Sequence, residues 1–160
     1  MKKIINFIKK IFGISNKKTK IPYQSSVRIT DEYEKRILLL INEYRLSIGL
    51  KELKENQHIN SISYQNNLRM IKIGEINHNG SSIRFDEIKH ICNANYVSEN
   101  LAYNYNDSES LVSAWIKSEK HLQNIKYKDL THFGISVTSN LEHKKFYTMM
   151  FAYLNNDKLW

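Results

Sequence analysis

The 160-residue sequence contains a single cysteine, Cys92, and no long hydrophobic run. One cysteine excludes an intramolecular disulfide, so the stability of the protein must come from packing. No stretch approaches the roughly 18 apolar residues of a transmembrane helix, and no motif of a serine or cysteine nucleophile is present. With 41% hydrophobic and 25% charged residues, the composition is that of one ordinary globular domain.

The excess of basic over acidic residues lies almost entirely in the first twenty positions. Residues 1–20 contain seven of the 24 lysine and arginine residues and no acidic one, although the formal net charge of the chain is +8. The remaining 17 basic residues are balanced by 16 acidic residues. A nucleic-acid-binding domain needs basic side chains clustered on its folded surface, so we expect no nucleic-acid partner.

The N-terminal segment, residues 1–29, combines a patterned stretch with a linker. In "MKKIINFIKKIFG" the isoleucines and phenylalanines fall on one side of a helix and the lysines on the other, which predicts a basic amphipathic helix. Such a helix suits an anionic membrane surface, bound through residues 1–20. An export signal, a solvated tail and a helix packed on the domain are the alternatives, and Lys9 and Lys10 interrupt the apolar core that an export signal requires. The protein is therefore expected to be membrane-associated or extracellular, and a cytoplasmic location stays open.

A globular domain is predicted over residues 30–155, and a short tail, residues 156–160, follows it. The first helix of this domain is expected to be capped by Thr30 or Asp31, with Glu34 as the capping-box partner three residues after Asp31, and to end at Gly49.

Two further helices and three extended segments complete the predicted domain. A second helix is expected from just after Asn56 to near Gly74, and a third from Ser108 or Ser110. The segment from His78 to Asn95 has no clear period and is interpreted as a loop with a short helical piece. The stretches "FGISVTS" and "KFYTMMFAY" are predicted to form a β-hairpin, and "YVSENLAY" a third strand or an extended segment. Helices packed on a small antiparallel sheet define an α+β fold.

Several polar residues in these elements are candidates for a site. His78, Glu99 and His121 offer two imidazoles and a carboxylate, a set that could coordinate Zn²⁺ or another divalent metal and leave a position open. Their spacing alone has no specificity, and ordinary hydrogen-bonded histidines are the alternative. Asn42 and Arg45 lie three residues apart on one helix face, where they can hold a neighbouring loop by hydrogen bonds.

Five sequence blocks, in their order and spacing, resemble the CAP superfamily, which comprises the cysteine-rich secretory, antigen 5 and pathogenesis-related proteins. The resemblance is strongest to its short, disulfide-free bacterial branch and runs from about Tyr33 to Tyr153. The blocks are "LLLINEYRLSIGLKEL", the second helix with His78 eight residues after Met70, "SENLAY", "WIKSEKHLQNI", and the strand pair "THFGISV" and "FYTMMF".

The resemblance implies an α-β-α sandwich in which His78, Glu99 and His121 converge in a central cleft. It also implies residues that support the cleft, namely Asn42, Arg45, Asn100, Ser118 and Asn124. We expect Asn100 and Asn124 to bond backbone groups near the cleft.

The sequence departs from the family pattern at three cleft positions. Ser118 stands where many eukaryotic relatives have a second glutamate, Leu122 where bacterial members often have arginine, and Met149 where the last strand often has glutamine. These departures argue against a complete four-ligand metal site.

Two classes of function follow from the resemblance, and the first is favoured. The first is a non-catalytic binding module whose cleft holds a lipid, a peptide or a divalent ion. The second is a metal-dependent hydrolase or peptidase that uses Glu99 as general base together with His78 and His121. Structural or toxin-like interaction roles are a third alternative.

Overall fold

The structure, a computed structural model, describes residues 31–155. The predicted basic helix and linker and the predicted C-terminal tail lie outside the described residues. Within residues 31–155 there are five helices and four strands. The helices are α1 (Glu32–Ser47), α2 (Gln57–Ile73), α3 (Ser81–Cys92), α4 (Ser108–Lys117) and α5 (Glu119–Ile125). The strands are β1 (Lys54–Glu55), β2 (Ala94–Tyr103), β3 (His132–Ser139) and β4 (Lys145–Leu154).

The first two helices begin and end as the sequence predicts. Glu34 N–H donates to Asp31 Oδ1 at 2.8 Å, and Asp31 N–H donates back to Glu34 Oε2 at 3.2 Å, which completes a capping box. Asn56 caps α2 through its side chain, and Gly74 ends α2 with φ of 70°, a left-handed conformation that favours glycine. These predictions are confirmed.

The four strands form one sheet in the order β1-β3-β4-β2. The predicted β3–β4 hairpin is confirmed, and β2 pairs with β4 in antiparallel fashion, so the segment "YVSENLAY" is a true strand. The sheet is mixed, however, because β1 pairs in parallel with β3. Both residues of β1 are exposed, so this strand has no hydrophobic pattern that could have predicted it. In this order β2 is an edge strand.

The segment from His78 to Asn95 corrects the sequence interpretation. It contains the 12-residue helix α3, which is a full helix and not a loop with a short helical piece. Only Arg84 and Ile88 of α3 are buried, so its apolar stripe is too narrow to show a clear period. The predicted third helix is α4, and a further short helix, α5, follows it and carries His121. The extended backbone of Ser118, with φ of −87° and ψ of 115°, separates α4 from α5.

Helices cover both faces of the sheet. One core lies between the sheet and α1, α4 and α5, and Trp115 is buried in it with 2% of its surface exposed. Smaller clusters lie between the sheet and α2 and α3. At Gly134 the backbone of α2 lies directly on β3, because a Cβ added there would be 2.5 Å from Asn60 N. The predicted α-β-α sandwich is confirmed.

Candidate functional site

The site is built around β2, which places neighbouring side chains on opposite faces of the sheet. Glu99 points toward α2 and α3, where it meets Arg84 and Asn66. Asn100 points toward α5, where its amide donates to the main-chain oxygen of His121 at 3.1 Å. Because β2 is at the edge of the sheet, groups from both faces can approach each other around it.

The Glu99 carboxylate is held at both of its oxygens. Arg84 Nε donates to Oε2 and Arg84 Nη2 to Oε1, each at 2.9 Å. His78 Nδ1 lies 2.8 Å from Oε1. The carboxylate is the acceptor, so His78 Nδ1 carries the proton and its Nε2 remains for another partner. The Glu99 side chain is only 1% exposed, whereas that of His78 is 58% exposed.

A buried amide network lies beneath this ion pair. Asn66 Nδ2 donates to Glu99 Oε2 at 3.3 Å and to Thr148 Oγ1 at 3.1 Å. Thr148 Oγ1 in turn donates to Asn67 Oδ1 at 2.7 Å. Arg69 Nε donates to Asn66 Oδ1 at 2.9 Å. The network leaves the position of the carboxylate little freedom, because each neighbour is itself bonded to α2 or to the sheet.

Sequence reasoning missed Arg84 and the role of Asn66. Arg84 lies in the segment interpreted as a loop, so nothing marked it as a partner of Glu99. Asn66 carried a usable signal, since it recurs on the apolar face of α2 with Ile62 and Met70, and an amide there must find buried partners.

His121 lies on α5, beside the other side of β2. Its ring centre is 6.5 Å from that of Trp115. Burial lowers the pKa of His121 below its ordinary 6.5, and the neighbouring His78 lowers it further. No hydrogen bond within residues 31–155 reaches the His121 ring. The ring is therefore neutral near pH 7 and open to a ligand.

The amides of Asn100 and Asn124 join α5 to β2. Asn124 Nδ2 donates to Glu99 O at 3.2 Å and to Asn100 Oδ1 at 2.8 Å. With the bond from Asn100 to the His121 oxygen, both predicted amides bond backbone beside the cleft. They set the distance between the helix that carries His121 and the strand that carries Glu99.

Asn42 and Arg45 act farther from the cleft. Asn42 exchanges two hydrogen bonds with the backbone of Leu53, at 3.0 and 2.9 Å. Arg45 is fully buried, and its Nη1 donates to Ile125 O at 2.6 Å. Because Ile125 is the last residue of α5, Arg45 supports the end of the helix that carries His121.

A cavity of about 300 Å³ opens beside the outer edge of β2. Ser118, at the break between α4 and α5, contributes to its wall. The wall also includes Leu101, Tyr103, Tyr105, Trp115 and His121.

The chemistry of the donor set bears on the predicted metal. Among residues 31–155, no three His, Cys, Asp or Glu side chains are grouped to hold one ion. Glu99 has both oxygens bonded to Arg84 and His78, so the nitrogens that remain are His78 Nε2 and those of His121. Two imidazoles fit a weakly held ion and not a closed structural site. The three-residue metal site stays a prediction.

The fold and this site define a domain of the cysteine-rich secretory type, and the sequence comparison agrees. The model of the CAP family, the cysteine-rich secretory protein family, matches residues 38–151. The chain belongs to this family.

Two relatives from Bacillus subtilis match much of the chain. The uncharacterized membrane protein YlbC is 30% identical over 129 residues, 78% of this chain. The uncharacterized protein YkwD is 28% identical over 106 residues, 64% of this chain. The alignments span only 35% and 41% of these two relatives.

Solved structures share the fold. An outer surface protein of Borrelia burgdorferi has a TM-score of 0.71 at 19% identity, over 80% of this chain and 97% of its own. An extracellular protein of Bacillus anthracis that contains an SCP domain has a TM-score of 0.65 at 22% identity, over 74% of this chain and 39% of its own. In the part of the chain that the structure describes, we find no helix with the length and apolar character to cross a membrane.

Proposed function

We propose that this CAP domain is a non-catalytic binding module whose ligand enters the cleft formed by His78, Glu99 and His121. The observation that carries the proposal is the state of Glu99, whose two carboxylate oxygens are bonded to Arg84 and His78 and whose side chain is 1% exposed.

A general base must reach the proton that it removes and have a lone pair free to accept it. Glu99 is enclosed, and Arg84 stabilises its charged form through a two-point, charge-assisted interaction. In the hydrolase alternative, Glu99 is the residue that removes the proton. The cleft therefore favours binding over hydrolysis. The groups that a ligand can reach are the rings of His78 and His121, and a cavity lies next to His121.

The pair formed by Glu99 and His78 orients the imidazole. A carboxylate that accepts from one ring nitrogen fixes the ring and raises the basicity of the other nitrogen, as in the outer shell of many metal sites. We propose Zn²⁺ or a similar ion as a weak ligand of His78 Nε2 and His121, with Glu99 orienting His78 and not itself coordinating. Two structural neighbours, one solved with Zn²⁺ and one manganese-bound, have TM-scores of 0.58 and 0.53.

We further propose that the module works at a membrane surface or outside the cell. The basic residues 1–20 are patterned for an anionic lipid surface. The name of the relative YlbC, a membrane protein, is consistent with that location.

Turnover tests the non-catalytic proposal. The purified chain is assayed against a broad panel of peptide and ester substrates, with and without added Zn²⁺, beside a Glu99→Gln variant. We expect the two proteins to be equally inactive. Hydrolysis by the wild-type chain that disappears in Glu99→Gln would overturn the proposal.

Vesicle binding tests the location. The full chain should sediment with acidic vesicles, and added salt should release it, since each lysine near the surface contributes on the order of 1 kcal/mol and is screened by salt. A chain that begins at Val27 should stay in solution. Equal sedimentation of both chains would show that residues 1–20 do not provide the attachment.

A further inference from the structure

The register of β2 determines which of its backbone groups face away from the sheet. Tyr103 lies opposite Phe146, and Asn104 N–H donates to Lys145 O at 2.7 Å. Hydrogen-bonded and non-bonded pairs alternate along an antiparallel ladder. Asn100 and Ala102 therefore bond to β4, and the N–H and C=O groups of Glu99, Leu101 and Tyr103 point outward.

Side chains already occupy two of the outward carbonyls. Trp115 Nε1 donates to Leu101 O at 3.2 Å, and Asn124 Nδ2 donates to Glu99 O at 3.2 Å. Within residues 31–155, no hydrogen bond reaches the outward N–H groups of Leu101 and Tyr103 or the Tyr103 carbonyl. The outer edge of β2 thus offers a donor and an acceptor at Tyr103 but only a donor at Leu101.

We propose that this edge binds the C-terminal end of an extended peptide, with the terminal carboxylate at Leu101. The inference rests on the proposed binding function and names a ligand class for the cavity that shares His121 with the proposed cleft. An incoming strand can pair with both backbone groups of Tyr103, as in strand addition to a sheet edge. At Leu101 the carbonyl oxygen is already bonded to Trp115 Nε1, so the added strand cannot continue the ladder of hydrogen bonds past this residue. Because the Leu101 N–H is the group that remains, the peptide group beside it must be an acceptor.

The peptide runs antiparallel to β2 in this arrangement. Its residue opposite Tyr103 precedes the terminal residue opposite Leu101 by two positions, the spacing of successive outward groups on a strand. The carboxylate then lies at the cavity of about 300 Å³, where Ser118 and His121 can donate to it. The side chain of the terminal peptide residue then lies against Trp115 and Tyr105, which line the same cavity.

The exposed position of Tyr103 keeps the entrance open. Tyr103 as a whole is 44% exposed, and its ring packs edge-on against Phe146, with 5.0 Å between the ring centres, on the face of the sheet away from α5. Peptide pairing with the Tyr103 backbone therefore requires no displacement of a packed side chain.

Amide exchange and NMR shifts test the inference directly. In the free protein, the amides of Leu101 and Tyr103 should exchange faster than those of Asn100 and Ala102, which bond to β4. A mixture of N-acetylated tripeptides with varied last residues should then shift and protect the Leu101 and Tyr103 amides. The same peptides as C-terminal amides should bind roughly tenfold more weakly, because hydrogen bonds to an ionised acceptor are the stronger ones.

Matched variants separate edge pairing from side-chain effects. Tyr103→Pro removes the outward N–H, which an edge strand tolerates, whereas Tyr103→Ala keeps it. Peptide binding should be lost in Tyr103→Pro and retained in Tyr103→Ala, with both melting curves recorded to verify folding. His121→Ala should weaken binding of the acid peptides toward that of the amides, and the exposed His58→Ala should not.

Three results would overturn the inference. They are unshifted Leu101 and Tyr103 amides at millimolar peptide, equal affinity for acids and amides, or full binding by a folded Tyr103→Pro. None of these outcomes involves substrate turnover, so the failure of this inference and the failure of the non-catalytic proposal are distinguishable.

Discussion

The guanidinium of Arg84 and the carboxylate of Glu99 form a two-point ion pair, with both hydrogen bonds at 2.9 Å, beneath the surface of the cleft. The Arg84 side chain is 10% exposed and that of Glu99 is 1% exposed. Removal of one partner from such a pair leaves a charge without compensation in a poorly solvated place.

The first prediction concerns this pair. Arg84→Leu should lower the free energy of unfolding by about 3–5 kcal/mol, the usual cost of an unpaired buried charge. Urea denaturation at pH 7 measures it. The double variant Arg84→Leu with Glu99→Leu should recover much of the loss, because no buried charge remains.

An exposed ion pair supplies the control. Arg36 Nε lies 2.8 Å from Glu109 Oε1, with side chains 44% and 56% exposed, so Arg36→Leu should leave the urea midpoint nearly unchanged. If Arg84→Leu is no more sensitive to urea than Arg36→Leu, the ion pair does not carry the stability assigned to it.

The second prediction concerns Trp115, which fills the core between the sheet and α4. Trp115→Ala should cost about 3–5 kcal/mol of unfolding free energy, because a large buried side chain is lost and a cavity remains. Trp115→Phe keeps most of the packing and loses the bond to Leu101 O, so it should cost clearly less. Thermal melting distinguishes the two, and equal melting temperatures for Trp115→Ala and the wild type would place this side chain outside the core.

The third prediction concerns the contact of α2 with β3. A Cβ at Gly134 would lie 2.5 Å from Asn60 N and 2.6 Å from Ile59 C, both backbone atoms that cannot move without the helix. Gly134→Ala should therefore lower the free energy of unfolding by at least about 1–3 kcal/mol, the usual cost of overpacking.

Gly74 is the matched control for that substitution. Space is open around it, and its φ of 70° is the only obstacle, so Gly74→Ala should cost about 1–2 kcal/mol. A Gly134→Ala variant as stable as Gly74→Ala would show that α2 does not approach β3 so closely. Chemical denaturation of both variants gives the comparison.

Local signals explain which parts of the fold could be predicted from sequence. The Asp31 capping box and the Gly74 end of α2 depend on residues within one turn, and the β3–β4 hairpin joins two stretches rich in β-branched and aromatic residues that are close in the sequence. β1 could not be found, since both of its residues are exposed and it pairs with β3 through backbone groups, such as Lys54 N–H, which donates to Thr131 O. The helix α5 was equally hidden, because it has seven residues, of which only Ile125 is buried.

The candidate site was predictable only in part, for the same reason. Motif order identified His78, Glu99 and His121, and the structure brings the first two into direct contact. Arg84 is the principal partner of Glu99 and lies 15 residues before it, in a helix whose narrow buried stripe gave no signal. As long as its contact with Arg84 is unknown, Glu99 is a candidate metal ligand or general base. The contact makes it a buried, hydrogen-bonded group that orients its neighbours.

The fourth prediction concerns pH. Burial is the main cause that lowers the pKa of both His121 and His132 below 6.5, so each binds a proton more readily in the unfolded chain. Stability from these groups is fully present above about pH 6.5 and is lost as pH falls through their folded pKa values. The urea midpoint should thus fall from pH 7.5 to pH 5.0, and the double variant His121→Gln with His132→Gln should fall less.

The exposed His58 tests the specificity of that effect. His58→Gln should show the same fall between the two pH values as the wild type. If the double variant also falls as far as the wild type, protonation of His121 and His132 does not determine the acid sensitivity of the domain.

The fifth prediction concerns Zn²⁺. A ligand that prefers the folded state raises the melting temperature in a concentration-dependent way, so added Zn²⁺ should stabilise chelator-treated protein. His78→Ala and His121→Ala should each abolish the shift, and His58→Ala should keep it.

Glu99→Gln should retain binding but weaken it by about 10–100-fold, the usual effect of changing a group that orients a metal-bound histidine. Because imidazole binds metal in its neutral form, acidification should weaken Zn²⁺ binding. A shift that persists in both His78→Ala and His121→Ala would place the metal elsewhere, for example at His132 or His143, and would leave the cleft residues as a hydrogen-bonded structural cluster.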